Sequence, residues 1–208
     1  MTCIWDFFGT DDFYNHYGSN AESKLDQEAA WFKNNVWNEV STDPVANTWN
    51  LEVPVSATTT CGQSGDRLVE ADEWLKNNFD YYGSNDGCVV LDHYWDGDYY
   101  GCAFVGGING WTEDNKTALV DYEAATGGHL PSFDTNGIGI RHYLGMEPGH
   151  IYGAKHPEDS VNTVDGLVTY MFDNEGPQCE DSGSPQESVS TYSNCAVSTI
   201  NDYMTNEC

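Results

Sequence analysis

The feature that most constrains how this chain can fold is the segment Met146–His156, whose sequence is MEPGHIYGAKH. On a helix, Glu147 and His150 are three residues apart and therefore share one face. Gly153 then allows the chain to leave the helix through a left-handed turn, which can bring His156 back beside His150. Two imidazoles and one carboxylate that converge on a point are the groups that a hydrolytic zinc site needs. The segment therefore predicts a helix that ends at a metal site.

This segment resembles the zinc-binding consensus of the metzincin metalloproteases, H-E-x-x-H-x-x-G-x-x-H. The chain departs from the consensus at one position, because Met146 stands where the first histidine ligand is expected. A thioether is soft and uncharged, and it suits copper(I) better than zinc. The resemblance therefore implies a zinc site in which His150 and His156 are two of the three ligands. Met146 occupies the position of the remaining ligand, which is the first in sequence.

A methionine-containing turn beneath the metal is the second hallmark of this family. Met171, in the segment 169–173, follows the motif at a suitable distance and could supply that turn. A methionine within a core strand over 168–172 is an almost equally good interpretation of the same residues.

The resemblance implies a zinc-dependent metalloendopeptidase. In this family the metal lowers the pKa of a bound water molecule to about 7, a glutamate takes its proton, and the resulting hydroxide attacks a peptide carbonyl. Glu147 occupies the place of that general base. The competing interpretations are that Glu147 is one more surface carboxylate among 34 acidic residues, and that His150 and His156 are unrelated members of the six histidines.

Pro148 interrupts the helix that carries the motif. It has no N–H to donate, and its ring clashes with the carbonyl group of Leu144, which costs about 3 kcal/mol in a helix interior. Gly145 weakens the same turn. We therefore expect a helix that either starts later than in the family or is kinked at Pro148.

No nearby histidine replaces Met146 easily. His142 lies two turns before His150, about 12 Å along a helix axis, whereas a zinc–nitrogen bond is about 2 Å long. A straight helix therefore cannot place both imidazoles on one ion. His129 lies in a predicted loop and stays open as a third ligand.

Periodic patterns along the rest of the chain predict alternating strands and helices. Alternating and β-branched residues indicate strands over 4–8, 48–55, 88–94, 99–105 and 118–122. Apolar residues at helical spacing indicate a long helix over about 21–41, with a capping box at Ser19–Glu22, and a second helix that begins at Ser64. The pair Asp96-Gly97 is a hairpin signal, so the third strand is expected to turn back directly into the fourth. This order favours an α/β fold with a mixed sheet.

The same order of elements is similar to the N-terminal subdomain of metzincins. The resemblance implies one metzincin-like catalytic domain over residues 1–208, with an N-terminal subdomain at 1–153 and a small, irregular C-terminal subdomain at 154–208. Its twisted mixed sheet would pack against two long helices and an active-site helix.

Two further segments resemble the branch of the family that contains the ADAM and snake-venom proteases. Gly101–Gly107 is similar to the edge strand of that branch, which pairs with extended substrate by β-augmentation. The residues for which the resemblance implies substrate binding are Ala103, Phe104, Val105 and Gly106. The C-terminal segment 191–208 is similar to the last helix and final cysteine of the branch.

Seven cysteines in 208 residues indicate disulfides outside the cell, with one thiol left over. The resemblance implies a bridge between Cys179 and Cys195, where the family has one. A bridge between Cys88 and Cys102 is disfavoured, because the predicted hairpin register leaves these residues about 10 Å apart.

The charge of the chain is extreme, with 34 Asp and Glu against 7 Lys and Arg and a formal net charge of −27. Its 13% aromatic content distinguishes it from disordered acidic segments. We expect a folded halophilic protein that unfolds at low salt, because salt screens its self-repulsion. Such a surface argues against nucleic acid and anionic membranes as partners. The expected partner is a peptide or protein substrate, and the expected state is a monomer.

A calcium site is a weaker expectation. Asp92, Asp96 and Asp98 near the hairpin carry the carboxylates that calcium prefers. A solvated acidic loop is the favoured interpretation, because the spacing is not that of an EF-hand.

The expected location is outside the cell or on its surface. No stretch reaches the roughly 18 apolar residues of a membrane span, and Met1 leads directly into a strand, as in a mature domain whose leader was removed. The rival to an active protease is a catalytically impaired pseudoprotease that binds peptides or proteins, which Met146 and Pro148 favour. A plain structural domain of the cell surface, which needs no cleft, is the third alternative.

Overall fold

The computed structural model describes residues 2–39, 43–61, 64–94, 101–104, 115–122, 140–152 and 200–201. Its strands are β1 at Cys3–Thr10, β2 at Pro44–Val53, β3 at Gly87–Asp92, β4 at Gly101–Ala103 and β5 at Thr117–Asp121. They form one five-stranded sheet in the order β2-β1-β3-β5-β4. Only β4 is antiparallel to its neighbour, and the other pairs are parallel. The structure thus confirms the mixed α/β fold predicted from the sequence.

β1 is an inner strand between β2 and β3, and its sequence CIWDFFGT explains this position. Side chains alternate between the two faces of a strand. Trp5 and Phe7 enter the core on one face, whereas Phe8 enters the core on the other, and all three are fully buried. Aromatic residues on both faces can be buried only where helices cover both sides of the sheet, as in parallel α/β structures.

The α-helices are α1 at Asp11–Tyr17, α2 at Ala21–Asn35, α3 at Arg67–Asn78 and α4 at Ile140–Ile151. α2 and α4 pack on the face that receives Trp5, and Ile200 from the C-terminal part of the chain joins the same core. α3 covers the opposite face. Within the described residues, none of the helices has the length and apolar character required to cross a membrane.

α1 was not predicted from the sequence. The hydroxyl of Thr10 accepts a hydrogen bond from the backbone N–H of Phe13 at 3.1 Å and so caps the helix. The two aspartates then lie in its first turn, where negative charge complements the helix dipole.

The predicted capping box at Ser19–Glu22 is wrong. A 3₁₀ turn at Gly18–Asn20 runs directly into α2, and the Asn20 side chain makes no capping hydrogen bond. α2 ends at Asn35 rather than near 41, because a second 3₁₀ turn at Trp37–Glu39 follows it. The second long helix begins at Arg67 rather than Ser64, with Asp66 as its N-cap.

The predicted hairpin between β3 and β4 is also wrong. β5 lies between these two strands, pairing with β3 in parallel and with β4 in antiparallel register. The burial pattern gives the reason: all residues of β5 are buried, as are those of β3, whereas those of β4 are half-buried. A fully buried strand belongs inside the sheet, so the three-residue β4 takes the edge.

Four cysteines lie in the part of the chain that the structure describes. Cys61 and Cys102 form a disulfide, and Cys88 is buried with a free thiol. The expectation that Cys88 and Cys102 are not bridged is therefore confirmed, although the hairpin argument behind it was wrong. Cys3 is also disulfide-bonded, to a partner outside the described residues. The implied pair Cys179 and Cys195 lies outside them as well.

A buried arginine ties together the ends of two strands and the start of α3. The Arg67 side chain donates to both carboxylate oxygens of Asp92 at the end of β3, at 2.5 and 2.8 Å. It also donates to Asp12 in α1 at 2.6 Å and to the carbonyl oxygen of Ala57 at 2.9 Å. Thr10 donates to Asp92 from the end of β1. The Asp92 carboxylate is therefore engaged by Arg67, which removes it from the expected calcium site; Asp96 and Asp98 lie outside the described residues.

Candidate metal centre

α4 carries the motif, and its packing explains why the motif residues are buried. Leu144 and Ile151, two turns apart, are fully buried in the core between α4 and the sheet. Glu147 lies three residues after Leu144 and four before Ile151, so it shares their face. His150, one turn after Glu147, is 7% exposed. The structure therefore places the predicted base and one predicted ligand on a buried side of the helix.

Pro148 does not delay the start of this helix. α4 begins at Ile140, ahead of Met146, and continues through Pro148 to Ile151. Pro148 lies in the last turn, where the loss of one backbone hydrogen bond is offset by the packing of Leu144 and Ile151.

Glu147 is the most perturbed acid of the site. It is 3% exposed, and burial raises the pKa of its carboxyl group to about 8. Within the described part of the chain, no positive group offsets this burial. A buried acid whose pKa is raised in this way is a recognised sign of a functional site.

The edge strand β4 passes directly against Glu147. A side-chain carbon placed on Gly101 would lie 2.9 Å from Cγ of Glu147 and 3.1 Å from its Oε1. The candidate base therefore sits next to the strand that the sequence suggested as the substrate-binding edge. Ala103 belongs to this strand and is half-buried, and Phe104 follows directly after it.

The other predicted site residues lie outside the described part of the chain. They are the side chain of Met146, and His156, Met171, Val105 and Gly106. The described residues contain no group of three or more His, Cys, Asp or Glu side chains that could hold a metal ion. Of the predicted base and ligands, they place Glu147 and His150 one turn apart on α4, both buried.

The two described residues of the site, Glu147 and His150, have side chains whose chemistry suits a zinc site. His150 offers an imidazole, a preferred zinc ligand. The burial of Glu147 without a compensating cation also fits, because a divalent ion is the kind of charge that stabilises a buried carboxylate. The motif predicts that His156 and the group at Met146 complete the donor set.

Two features of this site were not predicted. Gly101 was read only as the start of an edge segment, and its contact with Glu147 depends on the register between β4 and β5. Cys61 was not assigned a partner, although it ties the segment before α3 to Cys102 in β4. The sequence offered one usable signal, a cysteine immediately after the glycine of the edge segment.

The chain resembles solved structures in its fold. No protein-family model matches the chain, and no curated protein sequence matches it. Among solved structures, metalloproteinase-II from Bacteroides fragilis matches with a TM-score of 0.52 and 10% identity, over 97% of this chain and 52% of that one. A structure of a chaperone-substrate complex matches with a TM-score of 0.50 and 14% identity, over 96% of this chain and 33% of the other.

A third structure, a zinc-dependent peptidase from Methanocorpusculum labreanum (strain Z), matches over 95% of this chain and 100% of its own at 11% identity. Its TM-score of 0.49 is too low to carry an argument. The chain spans about half and about a third of the first two chains it matches. At these identities the likeness concerns the fold alone. The chain has a mixed α/β fold like that of the Bacteroides fragilis metalloproteinase.

Proposed function

We propose that this chain is a zinc-dependent metalloendopeptidase domain that hydrolyses peptide bonds in peptide or protein substrates. The observation that carries the proposal is the burial of Glu147 and His150 on one face of α4, against the edge strand β4. The metzincin-like fold supports it, because that fold is shared with a metalloproteinase.

In this proposal the residues of the chain have separate roles. His150 and His156 hold the zinc ion, with the group at Met146 in the third position and Met171 in a turn beneath. Zinc, when bound, supplies a Lewis acid that acidifies water and polarises the peptide carbonyl. Glu147 takes the proton from the attacking water and later delivers it to the leaving amine.

The substrate would lie extended along the edge strand. Ala103, Phe104, Val105 and Gly106 are proposed to offer it backbone hydrogen bonds, as in recognition by β-augmentation. β4 ends the sheet in the described structure, so its outer edge faces away from β5. The proposed domain comprises residues 1–208, with 1–153 and 154–208 as its two subdomains.

Metal stoichiometry tests this function first. Protein purified in multimolar salt without chelator is expected to contain close to one zinc per chain by elemental analysis. Glu147→Gln should keep the zinc and lower peptide cleavage by about 100-fold or more, the usual contribution of a general base. Glu73→Gln, which changes an exposed glutamate of α3, is the matched control and should leave both unchanged. Folded protein with neither zinc nor cleavage would contradict the proposal.

A catalytically impaired, peptide-binding module is the second candidate. The observation that favours it is Met146 at the first ligand position, together with Pro148 inside the site helix. It predicts that extended peptides bind the zinc-free protein without being cut, and a fluorescence binding assay would show this. Met146→His should then raise the zinc content; no gain would place the defect in the helix around Pro148.

We also propose a cellular location, a salt dependence and an oligomeric state for this domain. The Cys61–Cys102 disulfide supports an extracellular or cell-surface location. The net charge of −27 supports a halophilic protein with an acidic surface and a monomeric state.

A further inference from the structure

Two adjacent residues of the edge strand β4, Gly101 and Cys102, have close neighbours on opposite faces of the sheet. Successive residues of a strand point to opposite faces. Gly101 faces Glu147 of α4, and Ala103 packs against the core on that same side. Cys102 packs against the core on the α3 side and is bridged there to Cys61.

The disulfide holds β4 to the segment that leads into α3. Sγ of Cys61 lies 3.5 Å from the carbonyl oxygen of Gly101, and Sγ of Cys102 lies 3.4 Å from that of Thr60. Thr60 in turn accepts a hydrogen bond from the backbone N–H of Leu68 in α3 at 3.3 Å. The strand is therefore fixed from the side opposite to Glu147.

The space that a side chain would need at Gly101 is already filled. An added carbon there would meet Cγ of Glu147 at 2.9 Å and the backbone oxygen of Leu119 at 3.0 Å. Protein side chains essentially never approach that closely, so one group must move. β4 is held by the disulfide and by its pairing with β5, where Gly101 is opposite Val120. The group that can yield is the Glu147 side chain.

We propose that Gly101 is a positioning residue for Glu147: the absence of a side chain in the edge strand provides the space in which the candidate general base lies beside bound substrate. The proposal rests on the function proposed above. The Cys61–Cys102 disulfide contributes by keeping β4 at a fixed distance from α4, so that the space beside Gly101 has a constant size. The edge strand thus serves two purposes, as the pairing partner of the substrate and as one wall of the pocket for the base.

A double-mutant cycle tests the contact without any reference to activity. Gly101→Ala should raise the unfolding equilibrium constant about tenfold in the natural sequence, which is a typical effect of overpacking. In the Glu147→Ala background the same change should raise it less than about threefold, because the obstructing side chain is gone. Gly83→Ala is the matched control, since an added carbon there meets nothing within 4 Å.

Equal effects of Gly101→Ala in both backgrounds would overturn the proposal. If Gly101→Ala fails to fold but the double variant folds, the obstruction by Glu147 is supported. Failure of both to fold would overturn it, because the obstacle would then be the backbone at Leu119.

Kinetics then test the consequence for the base. Gly101→Ala should lower kcat for a peptide substrate at least about tenfold, as small misplacements of catalytic groups do. KM and zinc content should stay within about twofold, because pairing with the backbone of β4 and the metal ligands are untouched. A rise in KM with unchanged kcat would overturn the positioning role. An inactive natural protein would contradict the proposed function, while the stability cycle would still decide the contact.

Discussion

At the scale of single residues, Arg67 shows how this acidic chain uses one of its few cations. It lies 2% exposed between Asp92, which is fully buried, and Asp12, whose side chain is 41% exposed. Burial lowers the pKa of the guanidinium, but the hydrogen bonds and charges of the two aspartates outweigh this effect and raise it. The two ion pairs therefore differ in burial while sharing the same arginine.

Removal of the buried partner should be far more costly than removal of the exposed one. Asp92→Asn is expected to lower the free energy of unfolding by about 3 kcal/mol or more, because it leaves a buried cation poorly compensated. Asp12→Asn should cost about 1 kcal/mol or less, because a partly exposed pair is screened by solvent. Urea unfolding at constant salt measures both. Similar losses for the two variants would contradict this picture of Arg67.

Glu70 should contribute stability that depends on pH. Burial raises the pKa of its carboxyl group, but hydrogen bonds from the backbone of Ser56 and Ala57 outweigh that effect, so the pKa is lowered overall. A lowered pKa in the folded state means a contribution that is present at neutral pH and lost as the pH falls through the folded pKa. Glu70→Gln should therefore destabilise slightly at pH 7, by less than about 1 kcal/mol because solvent screens this partly exposed group, and this difference should vanish in acid.

The check is urea unfolding of both proteins across the acidic pH range. Glu73→Gln, on the exposed face of the same helix, serves as the control. A difference between Glu70→Gln and the natural protein that persists unchanged below the ordinary glutamate pKa would refute the assignment.

The site was predictable from sequence only where its residues are close along the chain. Glu147 and His150 are one helical turn apart, so their common face follows from helix geometry alone. The contact of Glu147 with Gly101 joins α4 to an edge strand and depends on packing that no local pattern encodes. The roles of Glu147, His150, His156 and Met171 stay predictions.

At the scale of elements, β4 is the piece whose position the sequence mispredicted. Asp96-Gly97 is a strong local signal for a hairpin, but it carries no information about how well each strand is buried. β5 is fully buried and lies inside the sheet, whereas the shorter β4 is half-buried and lies at its edge. Local patterns thus predicted that these strands exist. They could not predict the order of the strands, because the order depends on which segments are buried in the core.

The disulfide that fixes β4 should contribute much of the local stability. It joins residues separated by 41 positions, for which the chain-entropy relation gives about 4 kcal/mol. The double variant Cys61→Ser, Cys102→Ser should lose about that amount in urea unfolding. The single variant Cys102→Ser should lose as much, and Cys88→Ala, which breaks no bridge, should lose clearly less. A double variant as stable as the natural protein would show that β4 is held by its pairing with β5 alone.

At the scale of the whole molecule, net charge sets the conditions for folding. A charge of −27 on 208 residues produces self-repulsion that salt screens. Far-ultraviolet circular dichroism should show loss of structure as NaCl is lowered from multimolar concentrations, with recovery when salt is restored. Sucrose at matched osmolality should not restore the structure, because it does not screen charge. Intact structure without salt would contradict the proposed halophilic character.

The order of the strands also determines how the chain can reach its native state. β1 is synthesised first, yet its neighbour β3 comes much later, and Thr10 and Asp92 meet across 82 residues of chain. Such a high contact order predicts slow folding. Until α3 emerges, Phe8 on the α3 face of β1 has no helix to cover it, and exposed aromatic surface of this kind favours intermolecular association. Dilute refolding in concentrated salt should therefore recover more native protein than concentrated refolding.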